Sequence, residues 1–387
     1  MNLIRNEETE NAIKVIASQY VLSTDEQKYI GNPIDLYGVC GLDDKAVNLM
    51  IEETKQKIFG NKVPEWFDEK KVPASIFATI YFPVFIQNCY SKLGGCAIAE
   101  DVMRSSIYLS ADEMMNDPYM KNISVPEVRN GAFCLRKSAL TKYDLFVLDN
   151  KQADDPYSLI NIPVVACMDK DYDYPLLEEN GQVWMSIAPN ELVTMKDDLD
   201  AAEGNVLTFG LGLGYYPYLA SLKDNVSHVT VVEKNKSVIS LFEKYLLPQM
   251  ETKDKITIVR DNAFTYLRNL KDGEFDCCFA DIWVDSDDVD TYLKMKSASF
   301  AFEKTRFSFW LESRFIAIIS LIMMQIIMNS YYGGPQSYLD SVRRGYPQAF
   351  KVANKILEHR PAAAGNELID LLRQETILSE LREIERN

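Results

Sequence analysis

Val206–Tyr218 reads VLTFGLGLGYYPY, and its reading decides the fold. An apolar, strand-like run breaks into glycines on alternate positions, Gly210, Gly212 and Gly214. Glycine lets a backbone turn tightly and approach a ligand closely. The helix expected from Tyr215 onward presents the free N–H groups of its first turn. A dinucleotide fingerprint sets one more glycine directly after Gly214, packing helix on strand beneath a pyrophosphate. Tyr215 stands in that place, which disfavours NAD.

Downstream, strand-like and helix-like runs alternate. Strands are expected at 205–209, 229–232, 256–259, 275–280 and 307–311. Helices are expected from the glycine loop to about Ser221, then at 237–247, 263–270, 290–302 and 313–328, Pro248 stopping the second. Strands apolar throughout, alternating with helices, imply a parallel sheet covered on both faces. Nothing after Met328 reads as a further hairpin, so the sheet is expected to stop at five strands.

The strand ends carry the chemistry, because open α/β sheets bind ligands beyond the carboxyl ends of their strands. Glu233 closes the second strand (VTVVEKN), where a carboxylate accepts both hydroxyls of an adenosine ribose. The third ends in Arg260-Asp261-Asn262-Ala263, placing Asp261 to accept an adenine amino proton. The fourth ends in Ala280-Asp281-Ile282-Trp283, a carboxylate followed by an aromatic wall.

In order and spacing these motifs resemble a class I S-adenosylmethionine-dependent methyltransferase domain, most similar to the spermidine-synthase-like branch. GLGLG resembles the first motif, VTVVEKN the acidic second, RDNAF the third and FDCCFADIW the fourth. The resemblance reaches back to Gly181–Glu191 (GQVWMSIAPNE) and covers 180–315, roughly a third of the chain. It implies S-adenosyl-L-methionine as the cofactor. Gly210, Leu211, Gly212, Gly214 and Tyr215 would line its methionine part, and Glu233 with Lys234 would hold the ribose. Asp261, Asn262 and Ala263 would meet the adenine. Asp281 and Ile282 would lie beside the sulfonium, and Met185 and Ser186 would close that side.

Two departures bear on the reaction. Many methyltransferases carry an acidic residue two places before the first glycine, where this chain has Thr208; spermidine synthases also lack it. The aminopropyltransferase run after the fourth strand is replaced by DIWVDSDDVD, which keeps only Asp281. The expected activity is therefore methyl transfer to a small-molecule or protein acceptor. Aminopropyl transfer and a non-catalytic binding or assembly role stay open as alternatives. Alignment of nucleophile, methyl and sulfur supplies most of the catalysis. Asp281 is the candidate base for an amine or hydroxyl acceptor. Tyr216, Trp283 and Asp285 are candidate substrate contacts; the loop bearing Asp281, Asp285, Asp287, Asp288 and Asp290 reads equally as a solvated acidic segment.

The remainder divides into residues 1–131, helical; 132–188, a small β-rich subdomain; 189–329, the Rossmann-like cofactor domain; and 330–387, a helical tail. Lys45–Phe59 and Ser75–Tyr90 read as helices in the first part, and Asn180-Gly181 as a tight turn in the second. Pro189–Ala202 reads as a single helix. The tail segment Glu375–Arg386, with Ile377, Leu378, Leu381 and Ile384, reads as a helix packed on its own subunit, with a homodimerising helix as the alternative.

Across all 387 residues, 57 Asp and Glu against 41 Lys and Arg give a net charge of −16. Such a surface repels phosphate backbones, so nucleic acid and anionic membranes are poor partners. The polar N-terminus lacks a signal core, and Phe315–Met328 is shorter than the ~20 residues a bilayer needs. That segment reads as a buried helix on the sheet. Seven cysteines, none spaced C-x-x-C, read as reduced thiols of a cytoplasmic protein. With His228 and His359 the sole histidines, no metal site is expected.

Overall fold

Among the described residues strand structure begins at Ile107, inside the segment whose sequence reads as helical. A computed structural model of the chain describes residues 3–30, 44–62, 64, 106–141, 146–152, 159, 161–284, 288–359 and 365–386. Two small sheets precede the glycine loop. One joins β1 (Ile107–Leu109) to β4 (Phe146–Gln152) and β5 (Asn161–Met168) in the order β1-β5-β4. The other is antiparallel, ordered β2-β3-β6-β7, from β2 (Val128–Asn130), β3 (Phe133–Leu140), β6 (Tyr172–Glu179) and β7 (Gln182–Ser186). Asn180 and Gly181, both at positive φ, make the expected turn between β6 and β7. β1 and β2 are only three residues each, too short for any periodicity.

The main sheet has five strands, all parallel: β8 (Gly204–Phe209), β9 (Val226–Glu233), β10 (Ile256–Arg260), β11 (Cys277–Ala280) and β12 (Arg306–Phe309). Their order is β10-β9-β8-β11-β12, a Rossmann-like α/β arrangement, and among the described residues the sheet has five strands, as expected. Alternate residues of a strand point to opposite faces, so one strand feeds two cores. Leu207, Phe209, Cys278 and Ala280 enter the cluster on one face; Val206, Val229, Val231, Cys277 and Phe279 enter the other. Burying each large apolar side chain contributes about 1.5–3 kcal/mol, which ties helices to both faces.

The helix Glu312–Tyr332 packs on the first face. By length and composition it could cross a membrane. Here Phe315, Ile319, Met323 and Ile327 are fully buried, and the helix packs against Glu7–Ile30, Pro347–His359 and Gln374–Arg386. The last of these buries Ile377, Leu381 and Ile384 within its own chain.

Two helices differ from their sequence reading. Pro189–Ala202 forms two short helices, Pro189–Thr194 and Lys196–Ala201, separated at Met195. The helix expected to run to Leu247 is regular only over Lys236–Leu241 and then widens into a π turn, Phe242–Leu246. Phe242 packs directly under Gly214 there, a demand of tertiary packing. Cys134, Cys167, Cys277 and Cys278 are buried free thiols. Cys40, Cys89, Cys96, the helix expected at Ser75–Tyr90, Asp285 and Asp287 lie outside the described residues.

Candidate functional site

β8 sits at the centre of the sheet, where the order reverses between β8 and β11. That switch point is where open α/β sheets leave a crevice for ligands. The backbone sets the strand ends in register. Asp281 N–H donates to Phe209 O at 2.9 Å, Gly210 N–H to Val232 O at 3.0 Å, and Asp261 N–H to Glu233 O at 3.2 Å. Gly210, Glu233, Asp261 and Asp281 therefore meet at one rim.

Two glycines are required by this packing. Gly210 has φ 101°, and a Cβ on it would lie 1.9 Å from the Asp281 carbonyl oxygen. Gly212 has φ 50°, and a Cβ there would lie 1.8 Å from Met185 Sδ. The Met185 thioether also accepts the Leu213 N–H at 3.2 Å, joining β7 to the glycine loop.

A cavity of about 240 Å³ opens at the rim. Of the residues singled out in the sequence, Met185, Gly210, Leu211, Gly212, Glu233, Lys234, Asp261, Asn262, Ala263, Asp281, Ile282 and Trp283 line it. Glu233 Oε2 accepts Leu211 N–H at 3.2 Å and Oε1 accepts Asn235 N–H at 2.7 Å. Each oxygen keeps a second lone pair for a ligand hydroxyl.

Four expected contacts are not in the cavity wall. Tyr215 turns away, its hydroxyl donating to Asp117 Oδ2 at 3.0 Å. Tyr216 stacks on Phe279 in the core, centroids 4.0 Å apart. Tyr215 packs on Tyr119 and Tyr216 on the sheet residue Phe279, so neither ring lines the cavity. Gly214 lies over Phe242 and starts the helix Tyr215–Leu222. Ser186 is buried and serves a neighbour: its Oγ donates to Glu191 Oε1 at 2.5 Å and its N–H to the same oxygen at 3.2 Å.

Asn262 lines the cavity with its side chain already engaged, Oδ1 accepting Phe264 N–H at 3.0 Å and Thr265 N–H at 3.3 Å. It is the N-cap of the helix Ala263–Asn269. Asn262→Ala is expected to cost about 1 kcal/mol in urea unfolding and Asn262→Asp much less, since Asp also caps. Equal costs would show that the cap contributes nothing.

Sequence reading missed Glu191, Trp184 and Trp310, all on the cavity wall. Glu191 stands in the first turn of its helix, where a carboxylate reads as an ordinary dipole partner. Trp310 directly follows β12, so a fifth strand end joins the site; its Nε1 donates to Thr194 Oγ1 at 3.0 Å. Exposed Val183 and Val284 give the mouth an apolar lip.

The electrostatics are one-sided. Burial pushes the Glu191 carboxyl up to about 8; the Ser186 hydrogen bond opposes this and the nearby Asp281 adds to it. Burial, with the negative field of Glu233, pushes Asp281 up to about 7. Among the described residues no Lys or Arg forms an ion pair with Glu191, Glu233 or Asp281. Elsewhere, on the tail helices, His359, Glu380 and Glu383 bring ligand-type atoms within 4.8 Å of one another. Counting histidines did not foresee that grouping, which needs only one.

No family model and no curated protein matches the sequence. Solved structures overlap it in part. Spermidine synthase from Thermotoga maritima is 17% identical over 44% of this chain and 60% of its own, with a TM-score of 0.28. A spermidine synthase complexed with the transition-state analogue AdoDATO is 14% identical over 54% of this chain and 72% of its own, TM-score 0.28. The Trypanosoma brucei PRMT1 enzyme–prozyme complex with AdoHcy is 17% identical over 30% of this chain and 37% of its own, TM-score 0.24. This chain thus spans less than two thirds of the Thermotoga and Trypanosoma proteins. Overlaps this slight carry no information about activity.

Proposed function

We propose that the cleft binds S-adenosyl-L-methionine and that the chain is a methyltransferase acting on a small-molecule or protein acceptor. The observation that carries this reading is the unpaired acidity of the cavity. Glu191, Glu233 and Asp281 line it together with the glycine loop and Lys234, and among the described residues none of the three carboxyls forms an ion pair. Buried carboxyls of this kind favour a ligand that brings positive charge and disfavour one that brings a pyrophosphate. In this reading Glu233 takes the ribose hydroxyls and Asp261 the adenine amino group.

When bound, the cofactor supplies an electrophilic methyl group on a positively charged sulfur. The protein's part is to align the acceptor, exclude water and receive a proton. Asp281 fits the last task, because its raised proton affinity matches a base working near neutral pH. Its carboxyl sits at the end of β11, held by the Asp281 N–H bond to β8.

Calorimetric titration with S-adenosylmethionine, S-adenosylhomocysteine, decarboxylated S-adenosylmethionine and NAD tests this. Micromolar binding of the first two and none of NAD is expected. A well-folded protein that binds neither would reject the reading. Preference for the decarboxylated form would move the activity to aminopropyl transfer.

A further inference from the structure

The Glu191 carboxyl is half satisfied. Its Oε1 is held from Ser186 by the N–H, at 3.2 Å, and by Oγ, at 2.5 Å. Its Oε2 is buried and has no hydrogen-bond partner, although the residue lines the cavity. A buried acceptor without a donor is costly, and such atoms in folded proteins nearly always have a partner. The site is complete only with a ligand that brings a donor to Oε2.

The contacts around Glu191 place it beside the glycine loop. Ser186 follows Met185 at the end of β7, and Met185 Sδ accepts Leu213 N–H and lies against Gly212. Glu233, Lys234, Asp261 and Asn262 gather instead beyond β9 and β10, on the other side of β8 from Asp281. Two places before Gly210, Thr208 is buried and its hydroxyl donates to Gly210 O at 3.4 Å, so it does not reach the cavity.

We propose that Glu191 Oε2 receives the α-ammonium of the cofactor's amino-acid tail, the role that Thr208 leaves unfilled. This rests on the S-adenosylmethionine reading of the cleft and adds to it a binding residue from outside the parallel sheet. The ammonium is the part of that ligand with matching chemistry. It carries N–H donors and a positive charge, whereas the sulfonium has no hydrogen to give. Among the described residues the basic side chain on the wall is Lys234, next to Glu233, and Lys196, on the helix adjoining that of Glu191, pairs with Asp200. Neither occupies Oε2. Burial pushes the Glu191 carboxyl up to about 8, as expected of a carboxylate without its cation.

The experiment is calorimetry on the full chain with three thioether ligands. S-adenosylhomocysteine carries the whole tail, its deaminated analogue keeps the carboxylate and lacks the ammonium, and 5′-methylthioadenosine lacks the tail. Wild type should prefer S-adenosylhomocysteine to the deaminated analogue by about tenfold or more. Glu191→Gln should weaken S-adenosylhomocysteine by about tenfold or more and abolish that preference, since an amide turns donors toward the ammonium. Its affinity for 5′-methylthioadenosine should stay that of wild type.

Unchanged binding of S-adenosylhomocysteine by Glu191→Gln, or an equal loss for 5′-methylthioadenosine, overturns the assignment and leaves the cofactor reading standing. Binding of none of the three ligands, nor of S-adenosylmethionine, to the folded wild type removes both. Should Glu191→Gln fail to fold, Ser186→Ala frees Oε1 and loosens the carboxyl. It should weaken S-adenosylhomocysteine and spare 5′-methylthioadenosine, and the absence of that difference, or of the wild-type preference for the ammonium, overturns the assignment equally.

Discussion

An alanine at Gly210 is expected to cost the fold roughly 3 kcal/mol or more and to abolish ligand binding in the cleft. Two effects add. The position has φ 101°, outside the regions an L-residue adopts without strain. The new Cβ would also meet the Asp281 carbonyl oxygen at 1.9 Å. A backbone atom held by the β8–β11 hydrogen bonds cannot swing aside as a flexible side chain does. Relief must come from separating the ends of β8 and β11, which is the line along which the cavity is built. Urea unfolding and ligand titration on the same variant measure both consequences. Stability within ~0.5 kcal/mol of wild type would mean that the loop is not packed as described.

Removing the Glu233 carboxylate should weaken S-adenosylmethionine and S-adenosylhomocysteine alike, by about 100-fold or more. Hydrogen bonds to a charged acceptor contribute about 1.5–3 kcal/mol each, and two ribose hydroxyls are within its reach in the proposed complex. Glu233 also anchors Leu211 N–H and Asn235 N–H, so Glu233→Gln, which keeps one oxygen, is the informative companion to Glu233→Ala. Gln should fall between Ala and wild type. Because the ribose is common to both ligands, the loss should be equal for them. Undiminished affinity in Glu233→Ala would place the ribose elsewhere.

The main sheet was legible because its strands are short, continuous apolar runs bounded by turns. Val206–Phe209 and Cys277–Ala280 are buried on both faces, and burial on both faces is what a continuous run encodes. The ends of those strands were legible for the same reason: once the runs are placed, Glu233, Asp261 and Asp281 fall at one edge. The antiparallel sheet was harder. Phe133–Leu140 and Tyr172–Glu179 mix charge with apolar residues, and β1 pairs with β5 from far along the chain. Direction within a helix was also hidden. Tyr215 and Tyr216 follow the glycine loop immediately, yet the turn of the helix carries both rings into the core. Glu191 made the opposite journey, from an unremarked first-turn carboxylate to the cavity wall, through the fold of a segment that local pattern reads as one plain helix.

The thioether bridge from Met185 to the glycine loop makes the boundary between 188 and 189 no seam. The cavity is jointly owned, its floor laid by the parallel sheet and one of its walls hung from a hairpin that precedes it. Cut out by sequence alone, residues 189–329 would leave Leu213 N–H without its sulfur partner and Gly212 facing open water. A transplant of this pocket into another scaffold has to carry the β6–β7 hairpin with it.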